Sequence, residues 1–221
     1  MKHKITREWL GNHFRYAAWR YAAVALIATF GWSLIFTITA YRVPPERKVD
    51  IIFVGPYAHE ESIALLAEEA HAAHPEIERI SAQTIPFGVD AEIDFYSQQV
   101  LALRLGAHEG DIFILPRATF FGLVEQGMAL PLDDYLASGA LPESGDMPTG
   151  WVASVDDEYA GQKMQYGIPL DEAYGLMLTE MYDNRNAVMM MPFYTQNPDG
   201  AISVMRWIIE NRVQPKPEGL E

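Results

Sequence analysis

Hydrophobic positions are concentrated near the amino terminus, where residues 21–41, YAAVALIATFGWSLIFTITAY, hold no charged side chain. At about 1.5 Å per residue this run predicts a helix of roughly 31 Å, the thickness of a bilayer's hydrocarbon core. It is apolar all round, with none of the polar stripe that a helix on a globule's surface carries. Tyr16, Trp19 and Tyr21 stand near one end, Tyr41 at the other, and Arg20 and Arg42 just outside, the framing expected at membrane interfaces. Residues 1–20 hold Lys2, Lys4, Arg7, Arg15 and Arg20 against Glu8 alone, while the far flank has Arg42, Arg47 and Lys48. The excess of basic residues favours a cytoplasmic N-terminus. A cleaved signal peptide ends in a small-x-small site, but Ile38 fills the minus-three place before Ala40, so the expectation is a retained, single-pass membrane helix. Ahead of it, Ile5, Trp9, Leu10 and Phe14 follow helical spacing among basic residues. That segment, 1–20, reads either as a cytoplasmic amphipathic stretch in the headgroup layer or as an extension of the membrane helix.

Beyond a short linker at 42–48, where Pro44-Pro45 stops the helix, the pattern changes to alternating strands and helices. VDIIFV (49–54) is a compact β-branched run closed by Gly55-Pro56, and a helical pattern runs from about Glu60 to His74. IERISAQTI (77–85) alternates at period two; Ile93, Tyr96, Val100, Leu103 and Leu105 then mark a second helix to about Gly106. DIFIL (111–115) is a buried strand closed by Pro116. A short helix follows over 118–126, then the turn-rich LPLDDY (130–135) and a Gly/Pro/Ser-rich surface loop at 138–150. YGIPL (166–170) and AVMMMPFY (187–194) are further strand candidates, and Asn197-Pro198-Asp199 offers a capped helix start. The tail at 213–221 reads as flexible. Such alternation predicts an α/β fold with a mostly parallel sheet between helices.

Charge and composition narrow the chemistry. The 221 residues carry a formal charge of -14, and eight of the sixteen Lys and Arg lie in residues 1–48, so the remainder sets eight basic against twenty-eight acidic side chains, about -20. That surface argues against nucleic acid as a partner. The absence of cysteine excludes disulfides, thiolate metal sites and a cysteine nucleophile. No Walker loop or nucleophile elbow occurs. Glu68, His71 and His74 share a helix face at a spacing that a metal accepts, but the pattern reads as a solvated helix surface. Met189-Met190-Met191 reads as core packing rather than a soft-metal site. Asp133-Asp134 and Asp156-Asp157-Glu158 sit in turn contexts where carboxylates bond the local backbone. No cofactor, metal or enzyme activity is expected.

Three stretches resemble the extracellular solute-binding proteins (family 1) of ABC importers. QQVLALRLGAHEGDIFILP (98–116) is similar to that family's helix, glycine turn and strand; FFGLVEQGMALPLDDYL (120–136) to its helix ending in Gln-Gly and followed by Leu-Pro-Leu-Asp-Asp; QKMQYGIPLDEAYGLML (162–178) to its crossing segment Tyr-Gly-Ile-Pro. More loosely, TQNPDGAISVMRWIIENRV (195–213) is similar to the segment that re-enters the first lobe. The resemblance implies a periplasmic-binding-protein-like lobe over 49–212. In that family the chain leaves after Tyr-Gly-Ile-Pro to build a second lobe of over a hundred residues. Here about 16 residues separate Leu170 from Ala187, which implies a single lobe.

Ligands in open α/β sheets bind at the carboxyl ends of strands, which nominates the loops holding Tyr57 and His59, Arg117 and Thr119, and Asp171 with Tyr174. Aromatic rings suit a sugar, and an arginine suits a carboxylate or phosphate. With half a cleft, the expectation is a membrane-anchored, extracytoplasmic accessory or assembly subunit working through protein contacts, with another membrane or extracytoplasmic protein or as a homo-oligomer. The alternatives are a sugar- or peptide-binding importer component and a cell-surface glycoside hydrolase.

Overall fold

In a computed structural model the chain forms two compact units, Met1–Arg42 and Val43–Glu221. The structure describes residues 7–56, 58–88, 90–142, 151–152, 163–171, 173, 175–176, 181–183 and 185–212, without the side chains of 7–17, 151–152 and 163.

The first unit is one unbroken helix, α1 (Arg7–Thr39), so part of the basic segment continues the apolar run as helix. Its stretch Ala18–Thr39 is long and apolar enough to cross a membrane, and none of it is buried. Thr29, Thr37 and Thr39 each donate their hydroxyl to the carbonyl four residues back, at 2.7–2.8 Å. Those bonds engage the three threonine hydroxyls on an otherwise apolar surface. The helix stops at Thr39, so Tyr41 lies beyond it.

The second unit is an α/β layer structure. Its strands are β1 (Lys48–Gly55), β2 (Arg79–Pro86), β3 (Ile112–Pro116), β4 (Trp151–Val152), β5 (Lys163–Met164), β6 (Gly167–Pro169) and β7 (Ala187–Met190). Its helices are α2 (Glu60–Ala73), α3 (Ala91–Gly106), α4 (Arg117–Glu125), α5 (Asp133–Ala137) and α6 (Pro198–Arg212). Five strands form the main sheet in the order β2-β1-β3-β7-β6, while β4 and β5 pair separately. β1 is parallel to β2 and β3, and β7 is antiparallel to β3 and β6, so four of the five strands run one way and β7 opposes them. The sheet is mixed, its antiparallel member being one of the apolar runs that periodicity alone cannot orient. Pro169 is tolerated because β6 is an edge strand.

Alternation along the strands divides the core. Val49, Ile51 and Phe53 of β1, Ile112 and Ile114 of β3, and Met189 pack with α2 and α6 on one face. Ile52, Val54, Phe113, Leu115, Val188 and Met190 pack with α3 and α4 on the other. Met189, Met190 and Met191 are fully buried, as the core reading of that run requires. Asn197 caps α6 as the sequence suggests, its Oδ1 accepting from Gly200 N–H at 3.1 Å, and Asp90 caps α3, its Oδ1 accepting from the amides of Glu92 and Ile93.

On α3 the structure departs from the simple reading of periodicity. Ser97, Leu101 and Leu105 face the sheet, whereas Tyr96 and Leu103, members of the apolar series that marks the helix, point to solvent. The expected loop at 138–150 is described only to residue 142, and the tail 213–221 and the Asp156-Asp157-Glu158 run lie outside the described residues.

Candidate functional site

The carboxyl ends of β1, β3 and β6 and the amino end of β7 share one edge of the sheet, where ligands of open α/β sheets sit. Of the six sequence candidates, the structure joins two directly. Arg117 opens α4 immediately after β3, and its Nη2 donates to Asp171 Oδ2 at 3.0 Å. The other oxygen of Asp171 accepts the Asn186 N–H at 3.0 Å, and the Arg117 N–H donates to the Asn186 carbonyl at 2.8 Å. The three residues thus close a ring across β3, β6 and β7. Asn186 holds φ +57°, the left-handed conformation that Asn tolerates better than most residues. The guanidinium and carboxylate neutralise one another at this rim, so neither stands as an unpaired charge for an anionic or cationic ligand.

His59 has a different task. It caps α2, its Nδ1 accepting from Ser62 N–H at 3.4 Å, and its own N–H donates to the Met181 carbonyl at 2.9 Å. Thr119 lies two residues past Arg117 but lines a separate cleft between α3 and α4. Tyr57 and Tyr174 lie outside the described residues. The structure therefore brings Arg117 and Asp171 together and leaves His59 and Thr119 apart from them.

Next to the ring, Tyr182 straps the edge. Its hydroxyl donates to the Val54 carbonyl at 2.7 Å and its ring meets Phe53 edge-on with centroids 5.3 Å apart. Burial pushes the phenol well above its ordinary range. Gly55 is required there: a Cβ would lie 2.8 Å from the Tyr182 ring. Asp183 and Arg185 form a bidentate pair, with Nε and Nη2 at 2.9 and 2.7 Å from the two carboxylate oxygens, and the arginine's hydrogen bond holds the Asp183 carboxyl below its usual range. Sequence reasoning missed Tyr182, Asp183, Arg185 and Asn186. The Asp-Asn-Arg-Asn turn composition over 183–186 was the available signal.

A second polar cluster, at the opposite end of the strands, was also missed. Asp111, just before β3, accepts the Asp50 N–H on Oδ2 at 2.9 Å and returns its own N–H to the Asp50 carbonyl at 2.8 Å. The Asp50 carboxylate takes the Lys48 ammonium and the Ser81 hydroxyl, with Arg79 Nη2 at 3.7 Å. Burial, chiefly, pushes the Asp111 carboxyl up to about 6. These acids are tied to the backbone of two neighbouring strands rather than flanking a cleft, which is not the arrangement glycoside hydrolysis requires. Among the described residues no group of three or more His, Asp or Glu is placed to hold a metal. Glu68 and His71 are exposed on α2, and His74 Nδ1 instead meets Glu76 Oε1 at 3.0 Å.

No family model and no curated protein matches the chain. Solved structures do. A family 1 extracellular solute-binding protein from Alicyclobacillus acidocaldarius subsp. acidocaldarius DSM 446 matches with TM-score 0.38 and 21% identity over 58% of this chain and 29% of that one. An ABC substrate-binding protein from Listeria monocytogenes, in complex with cycloalternan, matches with TM-score 0.34 and 22% identity over 54% and 28%. A family 1 extracellular solute-binding protein from Bifidobacterium longum subsp. infantis matches with TM-score 0.36 and 20% identity over 55% and 27%. Its structural neighbours are solute-binding proteins. The chain spans under a third of the length of each, so the likeness is confined to part of a fold.

Proposed function

We propose that this chain is a membrane-anchored, extracytoplasmic, solute-binding-protein-like domain that acts through protein contacts, as an accessory or assembly subunit, and not as an enzyme. The observation that carries the reading is the direct return of the chain between β6 and β7. These strands are hydrogen-bonded neighbours in one sheet, and the segment joining them packs Ala173, Leu176, Met181 and Tyr182 into the same core. Closure of a bilobal receptor around a solute needs a second body on a hinge, and this is the place in the chain where the resemblance would put the crossing. The pairing of Arg117 with Asp171 supports the same conclusion, because it engages the rim's charged groups internally. With residues 1–20 cytoplasmic, the domain at 49–212 stands outside the membrane; this orientation is part of the proposal.

Crosslinking the full chain in its native membrane, followed by mild detergent extraction, tests it. A product heavier than the monomer is expected, and a monodisperse monomer overturns the reading. Protease access from each side of the membrane tests the orientation, with cleavage of the domain expected only from outside. The competing role, a sugar- or peptide-binding importer component, requires a ligand that raises the melting temperature by mass action and an Arg117→Ala variant that loses the rise. A sugar and peptide panel is expected to give no such shift.

A further inference from the structure

On one face of the sheet α3 and α4 stand apart, leaving a cleft of about 590 Å³. Leu101, Leu105 and Leu123 line it with the small residues Ala102, Gly106 and Gly122, so a helix can approach closely. Beside the cleft α3 raises a ridge. Phe95, Tyr96 and Leu103 are 66%, 68% and 72% exposed, and Gln99 sits among them at steps of three and four residues. The helix already buries a different stripe, Ser97, Leu101 and Leu105, against the sheet, so among the described residues the fold makes no use of the ridge. Single exposed apolar side chains are ordinary, but three large ones beside an apolar cleft have the composition of an interface core.

We propose that this face binds a second copy of the same chain, the α3 ridge of each copy entering the α3–α4 cleft of the other about a two-fold axis near Gln99. Ridge and cleft lie side by side on one surface, which makes the patch complementary to itself, as a two-fold contact requires. Charge selects the occupant. Residues 95–103 (FYSQQVLAL) carry no charge, although the chain beyond residue 48 sets twenty-eight acidic against eight basic side chains. A basic partner would be drawn to the acidic surface, whereas two acidic copies, which repel over most of their surface, meet at least cost where charge is absent. At two-thirds exposure, Phe95 and Tyr96 alone offer roughly 250 Å² of contact, about a third of the ~800 Å² per partner of a standard interface, before Leu103 and the cleft walls are added. The inference rests on the protein-contact reading above and names one such contact.

The chain has no cysteine, so Gln99→Cys introduces a unique thiol. In native membranes containing the full chain, oxidation with copper phenanthroline is expected to give a disulfide-linked dimer of this variant. Glu68→Cys, exposed on α2 across the sheet, is expected to give none. Adding Leu103→Glu to Gln99→Cys should lower the dimer yield at least about tenfold, the effect of losing ~1.4 kcal/mol of association, with the melting temperature unchanged because Leu103 is exposed. Absence of the Gln99→Cys dimer, equal dimer from Glu68→Cys, or indifference to Leu103→Glu overturns the proposal. If crosslinking instead joins the chain to a different protein and Gln99→Cys gives no dimer, this inference fails and the protein-contact reading stands. Absence of any heavier product sinks both.

Discussion

Replacing Asp111 with asparagine should remove a pH dependence of stability that the wild-type chain carries. Asp111 is 8% exposed, and its burial, helped by the Asp50 carboxylate nearby, outweighs the hydrogen bond from the Asp50 N–H and raises the carboxyl pKa from an ordinary 3.8 to about 6. The folded state then binds the proton more tightly than the unfolded state. Between about pH 4 and pH 6 the native chain holds more protons, so stability falls as pH rises through this window and is level above it. Two pKa units at about 1.4 kcal/mol each put the loss on the order of 3 kcal/mol. Asparagine keeps an oxygen to accept the Asp50 N–H but carries no charge. Urea unfolding of the full chain in detergent, followed by tryptophan fluorescence with Trp207 packed against the core as reporter, measures both proteins from pH 4 to pH 8. The variant is expected to match wild type near pH 4 and to exceed it by up to about 3 kcal/mol at pH 8. Carboxylates with the opposite tendency, such as Asp183, cancel in the difference between the two. A difference that stays constant across the range would refute the argument.

Other substitutions probe the packing around the site. Gly55→Ala forces a methyl to within 2.8 Å of the pinned Tyr182 ring and should cost about 1–3 kcal/mol in unfolding free energy, whereas Tyr182→Phe, which strips the Val54 carbonyl of its donor, should cost a similar ~1–3 kcal/mol without any steric clash. Asp171→Ala should lower the melting temperature more than Arg117→Ala, because it removes the acceptor for the Asn186 amide as well as the ion pair; the pair itself, a third to nearly a half exposed, is worth about 1 kcal/mol at most. Met189→Ala should destabilise by about 2–5 kcal/mol as a core cavity, and added Cu(I) should leave the wild-type melting temperature unchanged, which separates packing from metal binding.

Much of the architecture was legible because its signals are local. The charge-free run in α1, the β-branched strands closed by Gly55-Pro56 and Pro116, and the Asn197-Pro198 helix start each depend on residues a few places apart; the strands and the last helix appear close to their expected bounds, while the apolar run lies within a longer helix, Arg7–Thr39. The candidate site was legible only by position. Strand-end logic chose Arg117 and Asp171 as separate ligand contacts, but their 3.0 Å pairing joins residues 54 apart in sequence, and only the adjacency of β3, β7 and β6 creates it. The same holds for Asp50 and Asp111, 61 residues apart and unremarkable until β1 and β3 lie side by side.

Periodicity establishes that α3 is a helix with apolar positions to bury, but it carries two such stripes, and a sequence pattern has no term for which one meets the sheet. Packing against β2 selected Ser97, Leu101 and Leu105 and left Tyr96 and Leu103 in solvent. The direction of β7 was likewise open, since a short, fully buried apolar run satisfies either a parallel or an antiparallel neighbour, and only its antiparallel pairing with β3 and β6 in the folded sheet fixes it. The sequence by itself determined most of the elements, their order and one helix long and apolar enough to cross a membrane. Tertiary structure decided which faces are hidden and which charges meet, because those depend on contacts between residues far apart along the chain.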